Sequence, residues 1–284
     1  MTGVLQHKVR FGELSYGPFI HNGTIFDLLI EATEELSHEL GYAAETIVAA
    51  DGVPYAPVAI EASMDTYPRY EDTICIDIEP ITIGERHVQL AYRFTRAADD
   101  VQFGRAAMVQ ITITPDGEAE PVHPSVRAGL EALEGAAREP IDVAPRAPIG
   151  DGAALSRDVV FRSPHIEGAA LGYFEDYARE LSICLEAWLA ERGHSLRSLT
   201  DQTYPFIPVD WELTLEESIN FEDQISIDGR VLRADEQAVE IAYELRRPST
   251  DDVCIRADMT YGCFTDRGER AAFPTAALDA VRTD

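Results

Sequence analysis

The sequence predicts an α+β chain built from two copies of one unit, each a long buried helix followed by an antiparallel meander. Three observations carry this. The chain repeats itself at a nearly constant offset, each copy holds one apolar stripe at helical spacing, and each stripe is followed by runs that alternate with period two.

The repeat is direct. "HVQLAYRFTRAADDV" from residue 87 returns as "AVEIAYELRRPSTDDV" from residue 238. "PVAIEASMDTYPRYEDTICID" from residue 57 returns as "PVDWELTLEESINFEDQISID" from residue 208. Arg10 stands opposite Arg162, and Gly41 lies as far from Arg10 as Gly193 does from Arg162. Between the copies, "EGAAREPIDVAPRAPIGDGAA" (134–154) is rich in Pro, Ala and Gly and reads as a linker. The expected organisation is therefore a first repeat over 1–133, a linker over 134–154 and a second repeat over 155–284.

In the first copy Ile25, Leu28, Leu29, Ala32, Leu36 and Leu40 form the helical stripe, with Asn22 as N-cap and Gly41 just past the end. In the second, Tyr177, Leu181, Leu185, Trp188 and Leu189 form it and Gly193 stops it. Helices are expected near 23–40 and 172–192. Ile74, Ile76 and Ile78 then alternate with polar neighbours, as do Val109, Ile111 and Ile113, so each set is expected on a buried strand face. "TIGER", "AADD", "DGRV" and "PSTDD" read as the breaks between strands.

Charge narrows the function classes. A net charge of −28 opposes nucleic acid or an anionic membrane as partner. The single lysine, Lys8, stands against 22 arginines. Cys75, Cys184, Cys254 and Cys263 have no metal-site spacing and are expected as reduced thiols of a cytoplasmic protein. No signal-peptide pattern or span of membrane length is read, no phosphate-binding glycine loop occurs, and no metal or cofactor is expected.

The order "VRFGELSYGPFIHNGTIFDLLIEATEEL", "YPRYED", "AYRF" and "TPDGEAEPVHP" resembles the hotdog-fold acyl-CoA thioesterases of the 4-hydroxybenzoyl-CoA type. The resemblance spans both halves, roughly 7–130 and 158–281, so the chain resembles a double hotdog. It implies hydrolysis of an acyl-CoA or acyl-carrier thioester, with two chains associating as a homo-oligomer. The reaction needs a polarised thioester carbonyl, supplied at the N-terminus of the central helix, and a carboxylate to act as nucleophile or to activate water.

In that family the carboxylate follows the loop arginine by five residues. Here Ser15 holds that place after Arg10 and Glu167 holds it after Arg162. The polar helix mouth is His21–Asn22 in the first copy, and Tyr173–Phe174 replace it in the second. The expected catalytic residues are therefore Glu167, Asn22 and His21, with Glu31 as a reserve base. The resemblance places Gly23, Thr24, Tyr67, Arg69, Tyr173 and Phe174 against substrate. The competing functions are a non-catalytic acyl-binding protein and a hotdog hydratase or dehydratase, whose characteristic stretch is not found.

Overall fold

The computed structural model describes residues 2–41, 53–114, 119–133, 135, 139–141, 148–149, 155–165 and 172–282. The first half holds β1 (Thr2–Lys8), α1 (Asn22–Glu39), β2 (Val53–Met64), β3 (Thr73–Ile83), β4 (His87–Arg96), β5 (Val101–Ile113) and α2 (Pro124–Glu131). The second holds β6 (Leu155–Val160), α3 (Phe174–Glu191), α4 (Leu196–Leu199), β7 (Thr203–Leu215), β8 (Gln224–Ala234), β9 (Val239–Arg247), β10 (Asp252–Thr265), β11 (Arg270–Ala271) and α5 (Thr275–Val281).

The strands form one antiparallel sheet in the order β1-β3-β4-β5-β2-β7-β10-β9-β8-β6, with β11 beside β10. The order is a palindrome of the repeat: β1 answers β6, β3 answers β8, and β2 meets its own counterpart β7 at the centre. There Glu61 lies directly opposite Glu212, its equivalent in the repeated stretch. A local two-fold axis therefore passes between β2 and β7. Joining the copies this way leaves β1 and β6 at the ends of that order.

Each long helix buries its apolar stripe against its own half-sheet. Ile25, Leu28, Leu29, Ala32 and Leu36 of α1 are buried, as are Tyr177, Leu181, Leu185, Trp188 and Leu189 of α3. Where the halves meet, the Phe26 ring lies 6.1 Å from Phe174 and 5.7 Å from Trp211. α1 and α3 thus share one core.

One strand expectation fails, and a second holds only for Val109, since Ile111 and Ile113 are half-buried. "DGRV" is not a turn but lies inside β8, and the break comes after Ala234. Gly229 is needed there because Tyr243 lies across it: a Cβ would sit 2.9 Å from the Tyr243 ring carbons. On β5 the buried polar residue is Gln110, whose Nε2 lies 3.4 Å from Thr33 Oγ1 on α1. Thr33 also pairs with the Tyr92 hydroxyl at 2.7 Å. The helix-facing side of β5 is therefore the Gln110 side. Val109 is buried on the other face, in a small cluster with Ala59, Ala107 and Ile141. Ile141 belongs to the inter-repeat stretch, and its N–H donates to Gln89 Oε1 at 2.9 Å. At the far side Ile149 N–H donates to Glu244 Oε1 at 3.2 Å. Ile141 thus meets the outer face of the first half-sheet, and Ile149 that of the second.

Candidate active site

The start of α1 departs from its expected cap. His21, not Asn22, is the N-cap: its backbone is extended and its Nδ1 accepts the Gly23 N–H at 3.0 Å. That bond occupies a backbone donor expected to face substrate, so Gly23 serves the cap. Gly23 also lies under Arg179 of α3, where a Cβ would come within 2.8 Å of the guanidinium Nε. Arg179 is held by Glu175 at 2.8 Å, Asp176 at 3.0 Å and Asp27 at 3.4 Å, so it ties α3 to α1.

The cap fixes the chemistry of His21. With Nδ1 accepting, the ring hydrogen of the neutral form is on Nε2. Burial, aided by the Arg179 charge, pushes its pKa down to about 4. At neutral pH His21 is therefore an uncharged hydrogen-bond donor, and it is a poor base.

Asn22 follows as the first helical residue. It is 3% exposed, and its Nδ2 has no hydrogen-bond partner among the described residues. An orphaned buried donor costs about 1–3 kcal/mol, which makes it a site in search of an acceptor. Asn22 and His21 line a cavity of about 30 Å³ together with Ser15, Tyr16, Tyr67 and Ile20 from the first copy. The rest of the lining comes from the second copy: Ser182, Leu185 and Glu186 on α3, Leu196, Phe206, Ile207 and Pro208, and Tyr261.

Glu186 is the acid of this lining. Much of the residue meets solvent at the rim, yet crowding on its protein side raises its carboxyl pKa by desolvation. Ser182 donates its hydroxyl back to the Ala178 carbonyl at 3.2 Å, which occupies its proton. The Tyr67 hydroxyl donates to the Pro208 carbonyl, and that of Tyr16 to the Pro205 carbonyl. These two bonds lace the first copy onto β7.

The expected residues divide. Asn22, His21 and Tyr67 meet at the cavity; Gly23 and Thr24 are buried in the first turn behind it. Arg69 is exposed, and its Nη1 reaches the Asp266 carbonyl at 3.4 Å. Glu31 is exposed on α1 away from the lining. Tyr173 is 41% exposed at the cap of α3, and Phe174 packs 5.6 Å from Tyr177. Glu167 lies outside the described residues. Glu186 is the residue sequence reasoning missed. Its signal is positional: α1 and α3 begin 152 residues apart, which makes Glu186 the counterpart of Glu34.

The second helix mouth is built differently. At the same offset, Tyr173 and Phe174 replace His21 and Asn22, and Ile30 stands where α3 has Ser182. Nearby, Glu180 is buried against Arg157, with His165 Nε2 at 3.7 Å. Those polar groups pair with one another. All four cysteines are free, but burial raises each thiol, Cys184 to about 12 and Cys254 to about 11, so none is a ready nucleophile. Among the described residues no cluster of three or more His, Cys, Asp or Glu could hold a metal ion.

Three solved structures that share this shape are thioesterases by name. The chain matches a protein assigned as an oleoyl thioesterase from Lactobacillus plantarum with TM-score 0.72, at 14% identity, over 95% of this chain and 96% of that one. It matches a 12:0-ACP thioesterase from Umbellularia californica with TM-score 0.73, at 10% identity, over 90% and 92%. An acyl-ACP thioesterase from Bacteroides thetaiotaomicron follows at 0.66 and 10% identity, over 90% and 96%. The chain shares their fold. No family model and no curated protein sequence matches it. At such low identity the likeness speaks for the hotdog-type α+β architecture alone.

Proposed function

We propose that the chain is a double hotdog thioesterase, hydrolysing an acyl-CoA or acyl-carrier thioester at one working site per chain. The repeats are 1–133 and 155–284, joined by 134–154, and two such chains form the homo-oligomer. The observation that carries the reading is the orphaned, buried amide of Asn22, a residue that lines a cavity together with Glu186, an acid of raised pKa.

In this reading the thioester oxygen accepts from Asn22 Nδ2–H and His21 Nε2–H. Glu186 takes a proton from a water molecule as the water oxygen attacks the carbonyl carbon. The charge that develops on the carbonyl oxygen rests on the two donors, which are fixed by the cap and by burial before substrate arrives. The intermediate collapses, the C–S bond breaks, and the proton on Glu186 passes to the leaving sulfur. The products are a free carboxylic acid and a thiol. A carboxylate with a raised pKa is the stronger base, which suits Glu186 to work near neutral pH.

The test is thiol release from a panel of acyl-CoAs by the wild type and Asn22→Ala. Loss of one oxyanion donor should lower kcat by about 10- to 1000-fold, or roughly 1.4–4 kcal/mol of transition-state stabilisation. Unchanged turnover in a folded variant would leave Asn22 a structural residue. Acyl-CoA binding without thiol release would turn the reading toward an acyl-binding protein.

A further inference from the structure

We infer that the acyl group is short, and that Phe206 is the residue that stops it. The inference rests on the site proposed above and names its substrate class.

The β7–β10 ladder carries the first argument. Tyr261 pairs with Pro208 and Gly262 with Ile207, but Phe264 pairs with Tyr204. Pro205 and Phe206 together therefore oppose the single residue Cys263, which is a β-bulge. Phe206 takes the left-handed backbone conformation, with φ 62°. A bulky residue rarely adopts that conformation, and a buried one holds it only when its surroundings dictate it. Phe206 is 4% exposed and lines the same cavity as His21 and Asn22. The bulge aims a phenyl ring at the place where an acyl chain would run.

The other aromatic walls are locked. Tyr67 donates to the Pro208 carbonyl, and the Tyr261 hydroxyl lies 3.1 Å from that of Tyr243. Phe206 has no hydroxyl to tether it, and its ring lies 5.4 Å from Phe273 and 6.5 Å from Tyr261. The space left is about 30 Å³. A single water needs about 10–15 Å³ of such space, so a cavity of this size takes only a few small groups. That is room for an acyl chain of about two to four carbons.

The test compares acetyl-, butyryl-, hexanoyl- and octanoyl-CoA as substrates, with their non-hydrolysable thioether analogues as binding probes. The variants are Phe206→Gly and Phe206→Trp. Glycine adopts the left-handed backbone without strain, so the first variant removes the ring and keeps the bulge. Each methylene in an apolar pocket is worth about 10- to 200-fold in selectivity. The wild type should favour acetyl or butyryl over octanoyl by at least about 100-fold. Phe206→Gly should move the optimum to hexanoyl or octanoyl, and Phe206→Trp should disfavour butyryl.

If no thioester is hydrolysed but the analogues bind with this length preference, shifted by Phe206→Gly, the length stop stands and hydrolysis falls. A wild-type optimum at octanoyl overturns the length stop while leaving hydrolysis intact. So does an unshifted profile in both variants. Neither hydrolysis nor binding of any chain length overturns both.

Discussion

His21 shows how a single cap can decide a mechanism. Its ring nitrogen is committed to the Gly23 N–H, and its pKa falls to about 4. The unfolded chain, with histidine near 6.5, then binds more protons than the folded one between about pH 4 and 6.5. The His21 contribution to stability is therefore complete above about pH 6.5 and is lost as pH falls through 4. Urea titrations of the wild type and His21→Asn across that window should show a steeper acid loss in the wild type; parallel curves would place His21 in an ordinary aqueous environment. Catalysis should follow the other group. Because His21 is already neutral, the acidic limb of kcat/KM belongs to Glu186, and its midpoint should lie above the ordinary glutamate value. An acidic limb unaltered in Glu186→Gln would remove Glu186 from the reaction.

At the scale of elements, the site depends on how two helices meet. Gly23 permits the contact by leaving room for Arg179, which is anchored by three carboxylates and cannot swing aside freely. In an open helix, glycine to alanine gains about 0.5–1 kcal/mol. Here Gly23→Ala should instead destabilise by about 1–3 kcal/mol through overpacking, read as a lower urea midpoint with an unchanged slope. A stabilised variant would mean that Arg179 does not hold the helix pair. The helices themselves were legible in the sequence because their stripes run at helical spacing. The polar mouth at His21–Asn22 was legible because the second copy breaks it. Glu186 was not, because chain order does not say which helix faces which mouth. A carboxylate sought on α1 gave Glu31, which points elsewhere, whereas the half-sheets pair so that α3 supplies the wall. The turn misread at "DGRV" has a similar cause: Gly229 answers a neighbouring ring, a demand written in residue 243 and not in its own surroundings.

At the scale of the whole molecule, a near-symmetric sheet carries an asymmetric pair of helix mouths. The sheet order is the same read from either half, yet one mouth holds donors and the other rings. Ile141 adds a seal on the outer face, where it is buried with Ala59, Ala107 and Val109. Ile141→Ala should cost about 2 kcal/mol, the lower end of the range for truncating a buried isoleucine, since Ile141 packs in a small cluster. No change in the urea midpoint would mean that the seal adds nothing to stability. The central claim, one working site built from the α1 mouth and an acid on α3, is tested most directly by a matched pair of variants. Glu186→Gln and Glu34→Gln alter equivalent positions of the two repeats, and each is assayed for thiol release from the best acyl-CoA. Loss of the general base should lower kcat by about 100- to 10,000-fold in Glu186→Gln, with Glu34→Gln close to wild type. Equal losses of about half in each variant, or full activity in Glu186→Gln, would contradict it.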